Sequence, residues 1–115
     1  FPIALSPKPK GHKREQGDER TPEGRYILDF KNHDSDFYKS IRISYPNQQD
    51  LNRAELNGVD PGGAIMIHGM PNESSLPASL IQQFNWTDGC IAVTNGAMDE
   101  IWAAVEAGTP IEIQP

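Results

Sequence analysis

The chain carries one cysteine, Cys90, in the stretch WTDGCIAVTN (residues 86–95). With no second cysteine to pair with, this thiol is packing, reactive or incidental, and its setting favours reactive. Gly89 before it lets the backbone approach a bound group closely or take an unusual dihedral angle. Thr87 and Asp88 make the approach polar, whereas Ile91, Ala92 and Val93 read as the start of a buried segment. Upstream, the apolar run Ala64-Ile65-Met66-Ile67 delivers His68 and Gly69 at its end. A thiol attacks only as thiolate, and its unperturbed pKa is about 8.5. An imidazole beside it takes the proton, and the ion pair attacks an acyl carbon. The acyl-enzyme then passes to an amine or to water. Backbone N–H groups of Gly89 and Cys90 are candidates to hold the oxyanion. His68 and Cys90 lie 22 positions apart, room for an excursion and a return. Against this stand a buried structural thiol and a histidine merely hydrogen-bonded at a strand end.

Other chemistries find less support. His12, His33 and His68 are scattered, with no Cys-x-x-Cys or His-x-x-x-His spacing, so no metal site is expected. Ser74 and Ser75 lack a Gly-x-Ser-x-Gly context. Gly62-Gly63 precedes a strand and is no phosphate loop. Trp86 and Trp102 read as core or rim aromatics, Trp86 being close enough in sequence to Cys90 to line its cleft.

The elements that must position these groups are mostly strands. At 115 residues the chain is one domain with a single core. Ten prolines and ten glycines point to many turns, as in a mainly β domain. A net charge of −6 argues against nucleic acid or an anionic membrane as main partner. No apolar run approaches the length of a bilayer span. Residues 1–5 (FPIAL) read as a strand entered abruptly, and residues 6–19 as a solvated polar loop with Lys8, Lys10, Lys13 and Arg14. Residues 20–24 (RTPEG) read as a tight turn. The next segment, residues 25–30, reads as a strand with Tyr26, Leu28 and Phe30 on its apolar face, followed by a polar turn over 31–36. Residues 37–45 alternate as a second strand. Short helices are expected around 49–56, ending at Gly58, and over 76–84. Asn95 is expected to cap a helix over 97–107 with Asp99 and Glu100 in its first turn, and Gly108 to stop it. Residues 109–113 close the domain as a last strand.

Four segments in order resemble one family. GDERTPEGRY (17–26), IMIHG (65–69), WTDGCIAVTN (86–95) and MDEIWAAVEAGTPIEI (98–113) are similar to the YkuD-type L,D-transpeptidase catalytic domain. The likeness is to the murein transpeptidase-like branch also labelled ErfK/YbiS/YcfS/YnhG. The resemblance implies a YkuD-like β-sandwich with one or two helices, spanning residues 1–115 as a single catalytic domain, N-terminally truncated and lacking a hairpin. It implies a cofactor-free cysteine acyl-transferase of the bacterial cell envelope, acting on peptidoglycan stem peptides. Cys90 would attack the bond following the L-centre of meso-diaminopimelate, D-alanine would leave, and an amine of a second stem would resolve the thioester. His68 matches the base, the Gly69 carbonyl the group that orients it, and the Gly89 and Cys90 amides the oxyanion site. Trp86, Thr87, Asp88, Arg20 and Arg25 are the substrate-binding candidates, the arginines for a carboxylate. Carbapenem-type β-lactams would acylate Cys90. The family's usual Ser/Thr-His-Gly-Cys reads Thr87-Asp88-Gly89-Cys90 here, so a carboxylate stands beside the nucleophile and disfavours thiolate if it points inward. Two rivals are the same acyl-enzyme resolved by water, as an L,D-carboxypeptidase or amidase, and a non-catalytic wall-binding module.

Overall fold

A computed structural model describes residues 3, 5, 10–35, 37–70 and 89–114. Its framework is a long antiparallel pair, β1 (Gly24–Ser35) and β2 (Tyr38–Ile43), with Leu28 opposite Ile43 and Lys31 opposite Ile41. β3 (Met66–His68) adds antiparallel to the free side of β2. β4 (Ile91–Ala92) then joins β3 in parallel, with Ile67 opposite Ile91 and His68 opposite Ala92. β5 (Thr109–Ile113) lies antiparallel along the other side of β1, giving the sheet order β4-β3-β2-β1-β5. The sheet rolls: Ile91 and Ile113, from strands at its two ends, line one apolar cavity of about 430 Å³ together with Ile3 and Leu5.

The period-2 alternation of the strands puts Ile41, Ile43, Ile67 and Val93 in the core, where they meet Met98 of the helix α2 (Asn95–Ala104). Burying each such side chain contributes about 1.5–3 kcal/mol, so the β2–β3–β4 seam is fixed chiefly by these contacts. Thr94 caps α2 by accepting the Ala97 N–H, 3.2 Å. At the other end Lys31 Nζ donates to the carbonyls of Trp102 (2.7 Å) and Val105 (3.0 Å) and lies 4.5 Å from the Trp102 ring centroid. A second helix, α1 (Gln48–Asn57), opens with a reciprocal Asn47–Asp50 capping box and ends on Gly58 in the left-handed conformation, φ 64°.

Asp50 does more than cap. Its buried carboxylate accepts the Tyr26 hydroxyl (2.7 Å), the Asn47 N–H (3.0 Å) and His12 Nε2 (2.8 Å). The Glu23 N–H donates to His12 Nδ1 (2.8 Å), so the ring carries its hydrogen on Nε2 and faces Asp50 as a donor. Burial, then the Asp50 hydrogen bond and charge, push the Tyr26 phenol up.

Several sequence expectations need correction. β1 does not stop at Phe30 but runs on to Ser35, where a polar turn was expected. A register irregularity between Leu28 and Phe30 breaks the alternation, leaving Phe30 56% exposed instead of inward. The tight turn is not at 20–24: Thr21 and Pro22 are buried in extended chain, and the turn comes earlier, around Glu15–Asp18. Lys13 is not solvated but buried, its Nζ 3.0 Å from Asp18 Oδ1. Burial raises the Asp18 carboxyl, but the N–H groups of Arg14, Arg20 and Glu15, with Lys13, outweigh it and hold the group below the usual range. Thr94, not Asn95, caps α2; Asp99 and Glu100 lie beyond its first turn, and the helix ends at Ala104, before Gly108. Ile3 and Leu5 are not in a strand. Phe1, Pro2, Ala4 and the helix expected over 76–84 lie outside the described residues.

Candidate active site

The parallel pairing of β3 and β4 brings the segments of the two candidate residues side by side. His68 closes β3 opposite Ala92, and Cys90 stands two residues before Ala92, at the entry to β4. Continued at ideal strand spacing, β4 would set Cys90 on the His68 side of the sheet with the two Cα atoms roughly 8 Å apart. The half-buried thiol lies 3.4 Å from the Ala64 carbonyl, which accepts its hydrogen. That carbonyl is aimed by a left-handed backbone at Ala64, φ 55°, sparsely populated for a residue with a Cβ.

His68 is buried, and its ring stacks on Phe37 with centroids 4.5 Å apart. Nδ1 lies 2.7 Å from the Gly69 carbonyl. A carbonyl only accepts, so Nδ1 carries the hydrogen and the neutral ring keeps its lone pair on Nε2. Burial pushes the imidazole below its ordinary value, and the bond to Gly69 opposes this in part. The ring is therefore held neutral near pH 7, with the basic nitrogen the one not bonded to Gly69. The backbone around it is pinned from both sides, by Val93 N–H to the His68 carbonyl (3.0 Å) and Gly69 N–H to the Lys39 carbonyl (3.2 Å).

Both glycines of the site are demanded by their neighbours. Gly89 has φ 95°, and a Cβ there would stand 2.7 Å from the Arg20 carbonyl oxygen and 3.1 Å from Ile65 Cδ1. At Gly69 a Cβ would stand 2.5 Å from Asn95 Oδ1 and 3.0 Å from the Phe37 carbonyl. Asn95 spends that oxygen on the Met70 N–H, 2.9 Å, so it braces the chain leaving His68.

The segment 20–23 is the other wall. Thr21 Oγ1 donates to the Gly89 carbonyl at 2.9 Å in a buried setting. Because the peptide unit is planar and trans, fixing that carbonyl also fixes the Cys90 N–H, which points away from Thr21. The two arginine candidates part company here. The Arg20 backbone abuts Gly89, and its guanidinium lies over Gly11, 3.4 Å from where a Cβ would stand. Arg25 sits on exposed β1 opposite Glu112, in the wall of a different cavity. Trp86, Thr87 and Asp88 lie outside the described residues. Sequence reasoning did not single out Thr21, Phe37 or Ala64 for this site. Nothing local marks them, since Thr21 acts on a residue 68 positions away and Ala64 on one 26 positions away.

Comparison with known proteins fits this geometry. The profile of the L,D-transpeptidase catalytic domain, YkuD, matches residues 1–113. A candidate L,D-transpeptidase of Escherichia coli (strain K12), YafK, is 36% identical over 98 residues, covering 83% of this chain and 32% of YafK. The helical cell shape determining protein Pgp2 of Campylobacter jejuni superposes with a TM-score of 0.72 at 28% identity, over 97% of this chain and 36% of Pgp2. Bd1075 of Bdellovibrio bacteriovorus shares the fold, with a TM-score of 0.62 at 23% identity over 99% of this chain and 37% of its own. The chain thus spans about a third of the length of each of these relatives. A match over nearly all its residues, on a sheet that puts Gly-Cys beside His-Gly, makes the chain a member of the L,D-transpeptidase catalytic domain (YkuD) family.

Proposed function

We propose that the chain is a cysteine acyl-transferase domain acting on peptidoglycan stem peptides in the bacterial cell envelope. The observation that supports this is the β3–β4 register, which runs the strand entered at Cys90 alongside the one ending at His68, whose Nδ1 is committed to Gly69. His68 Nε2 takes the thiol proton, and the thiolate attacks the carbonyl of the L-centre of diaminopimelate in a tetrapeptide stem. The Cys90 N–H, oriented through Thr21 and Gly89, donates to the oxyanion together with the Gly89 N–H. As the tetrahedral adduct collapses, the C–N bond to D-alanine breaks, and His68 returns its proton to the leaving amine. An amine of a second stem, or of an envelope protein, then attacks the thioester. His68 takes that amine's proton and hands it to the departing thiolate. Of the two arginines only Arg20 has its backbone against Gly89, and its guanidinium, which lies over Gly11, would have to turn toward the thiol to hold a carboxylate of the donor stem.

The test is intact mass after exposure to a carbapenem β-lactam, for the parent chain, Cys90→Ala and His68→Ala. An adduct on the parent that Cys90→Ala abolishes and His68→Ala slows is expected. A folded parent chain that takes up no adduct refutes the acyl-transfer assignment. Tetrapeptide stems supplied with and without an acceptor amine then distinguish cross-linking from hydrolysis.

A further inference from the structure

The chain is acidic, yet most of the arginines that lack a close ion pair among the described residues gather in one region. Lys13 is held by Asp18, Lys39 by Asp99, Arg42 by Asp29 through two hydrogen bonds, and Lys31 by the carbonyls ending α2. Among the described residues, the guanidinium groups of Arg14, Arg20 and Arg25 have no ion-pair or hydrogen-bond partner, and Arg53 reaches only to 3.9 Å from Asp50. Three of these, Arg14, Arg25 and Arg53, line one cavity of about 420 Å³. The first turn of α1 completes its wall through Asn47 and Gln49, adding the partial positive charge of a helix start.

The carboxylates in the cavity divide into two kinds. Asp50 is hydrogen-bonded to His12, Tyr26 and its own helix cap, all neutral donors, so it keeps its charge and offsets Arg53, 3.9 Å away, while Arg14 and Arg25 have no ion-pair partner among the described residues. Glu23 has no partner for its side chain among the described residues and lines the same cavity. The lining thus offers several guanidinium groups for one anion and a single free carboxylate for one cation. A phosphate dianion would be attracted by the first and repelled by the second. A zwitterion satisfies both.

We propose that this cavity is a second binding site, which takes the α-ammonium-carboxylate end of an amino acid or peptide side chain, with the carboxylate on Arg25 and Arg53 and the ammonium on Glu23. The identification of that end with a stem peptide rests on the function proposed above. The placement suits it. Glu23 is two residues from Thr21, which holds the Gly89 carbonyl, so the cavity lies within about 7 Å of chain from the wall of the nucleophile's site.

The experiment is a titration of the ¹⁵N-labelled Cys90→Ala protein, in which no acylation can intervene, followed by amide shifts. The probes are D-alanine, N-acetyl-D-alanine, D-alaninamide and inorganic phosphate. D-Alanine is expected to shift the amides of Glu23, Gly24, Gln49 and Asp50 saturably. Removing either charge from the probe, or introducing Arg25→Gln with Arg53→Gln, is expected to weaken binding about tenfold or more. Lys39→Gln with Arg42→Gln, which removes the same charge elsewhere, is expected to leave it unchanged. Phosphate binding tighter than D-alanine would reassign the cavity to a phosphate-bearing polymer and overturn the proposal. So would absent shifts at these amides, shifts that persist without Arg25 and Arg53, or equal loss in the Lys39/Arg42 control. Carbapenem labelling of the parent chain is independent of every arm, so either assignment can fail alone.

Discussion

Replacing Gly89 by alanine is the sharpest test of how the nucleophile is held. Two costs arise from the structure. A residue with a Cβ at φ 95° is strained by about 1–2 kcal/mol. The new methyl would also stand 2.7 Å from the Arg20 carbonyl oxygen, a backbone atom that cannot rotate away, which adds about 1–3 kcal/mol of overpacking. The sum, about 2–5 kcal/mol, is a large part of the total stability of a domain this size. At about 4 °C per kcal/mol, the melting midpoint should fall by about 8 °C or more. The comparison is Gly96→Ala, inside α2, where nothing lies within 4 Å of the added Cβ and φ is not positive. There alanine should gain roughly 0.8–1 kcal/mol of helix propensity and raise the midpoint by a few degrees. Circular dichroism melts of both variants against the parent read the difference directly. A Gly89→Ala melt within about 2 °C of the parent would refute the close approach of segment 20–23 to the nucleophile. The argument for how the Cys90 N–H is aimed would fall with it.

Other consequences are open to measurement. Thr21→Val leaves the buried Gly89 carbonyl without its donor, and should cost about 1–3 kcal/mol in urea unfolding while slowing carbapenem acylation more than a matched surface change. Gly69→Ala should be severely destabilising in the same assay because Asn95 Oδ1 occupies the space; adding Asn95→Ala should recover part of that loss, and strict additivity would contradict the contact. His68, kept neutral by burial, contributes a pH dependence of definite sign. Its folded pKa lies below 6.5, so the unfolded chain binds the proton first, and stability falls as pH drops below about 6.5 through the folded value. His68→Gln should flatten that fall between pH 6.5 and 5, and an unchanged slope would show that the ring is not buried.

The candidate pair stands out in the sequence more than the contacts around it do. Cys90 and His68 announce themselves because a unique thiol after glycine and a histidine ending an apolar run are rare residue types in telling places. The strand alternation through Ile41 and Ile43 likewise predicts the core face. The pattern misled where long-range contacts decide. Phe30 reads as inward until a register irregularity turns it out, and Lys13 reads as solvated although Asp18 receives it in a buried loop. Asn95 is a good cap by residue type, but Thr94 holds that position, which frees Asn95 to brace the chain after His68. Arg20 and Arg25 are equivalent by type and spacing to the motif. Only the fold sets one against Gly89 and the other across a different cavity.

Parallel pairing of β3 and β4 also says where this architecture tolerates change. In strands this short, the offset between His68 and Cys90 is metered by two rungs of backbone pairing, Ile67 with Ile91 and His68 with Ala92. One residue inserted between Cys90 and Ala92 would displace the thiol by about 3.3 Å and turn it to the opposite face. The placement of Cys90 relative to His68 therefore hangs on these two rungs, and a slip of either strand would undo it.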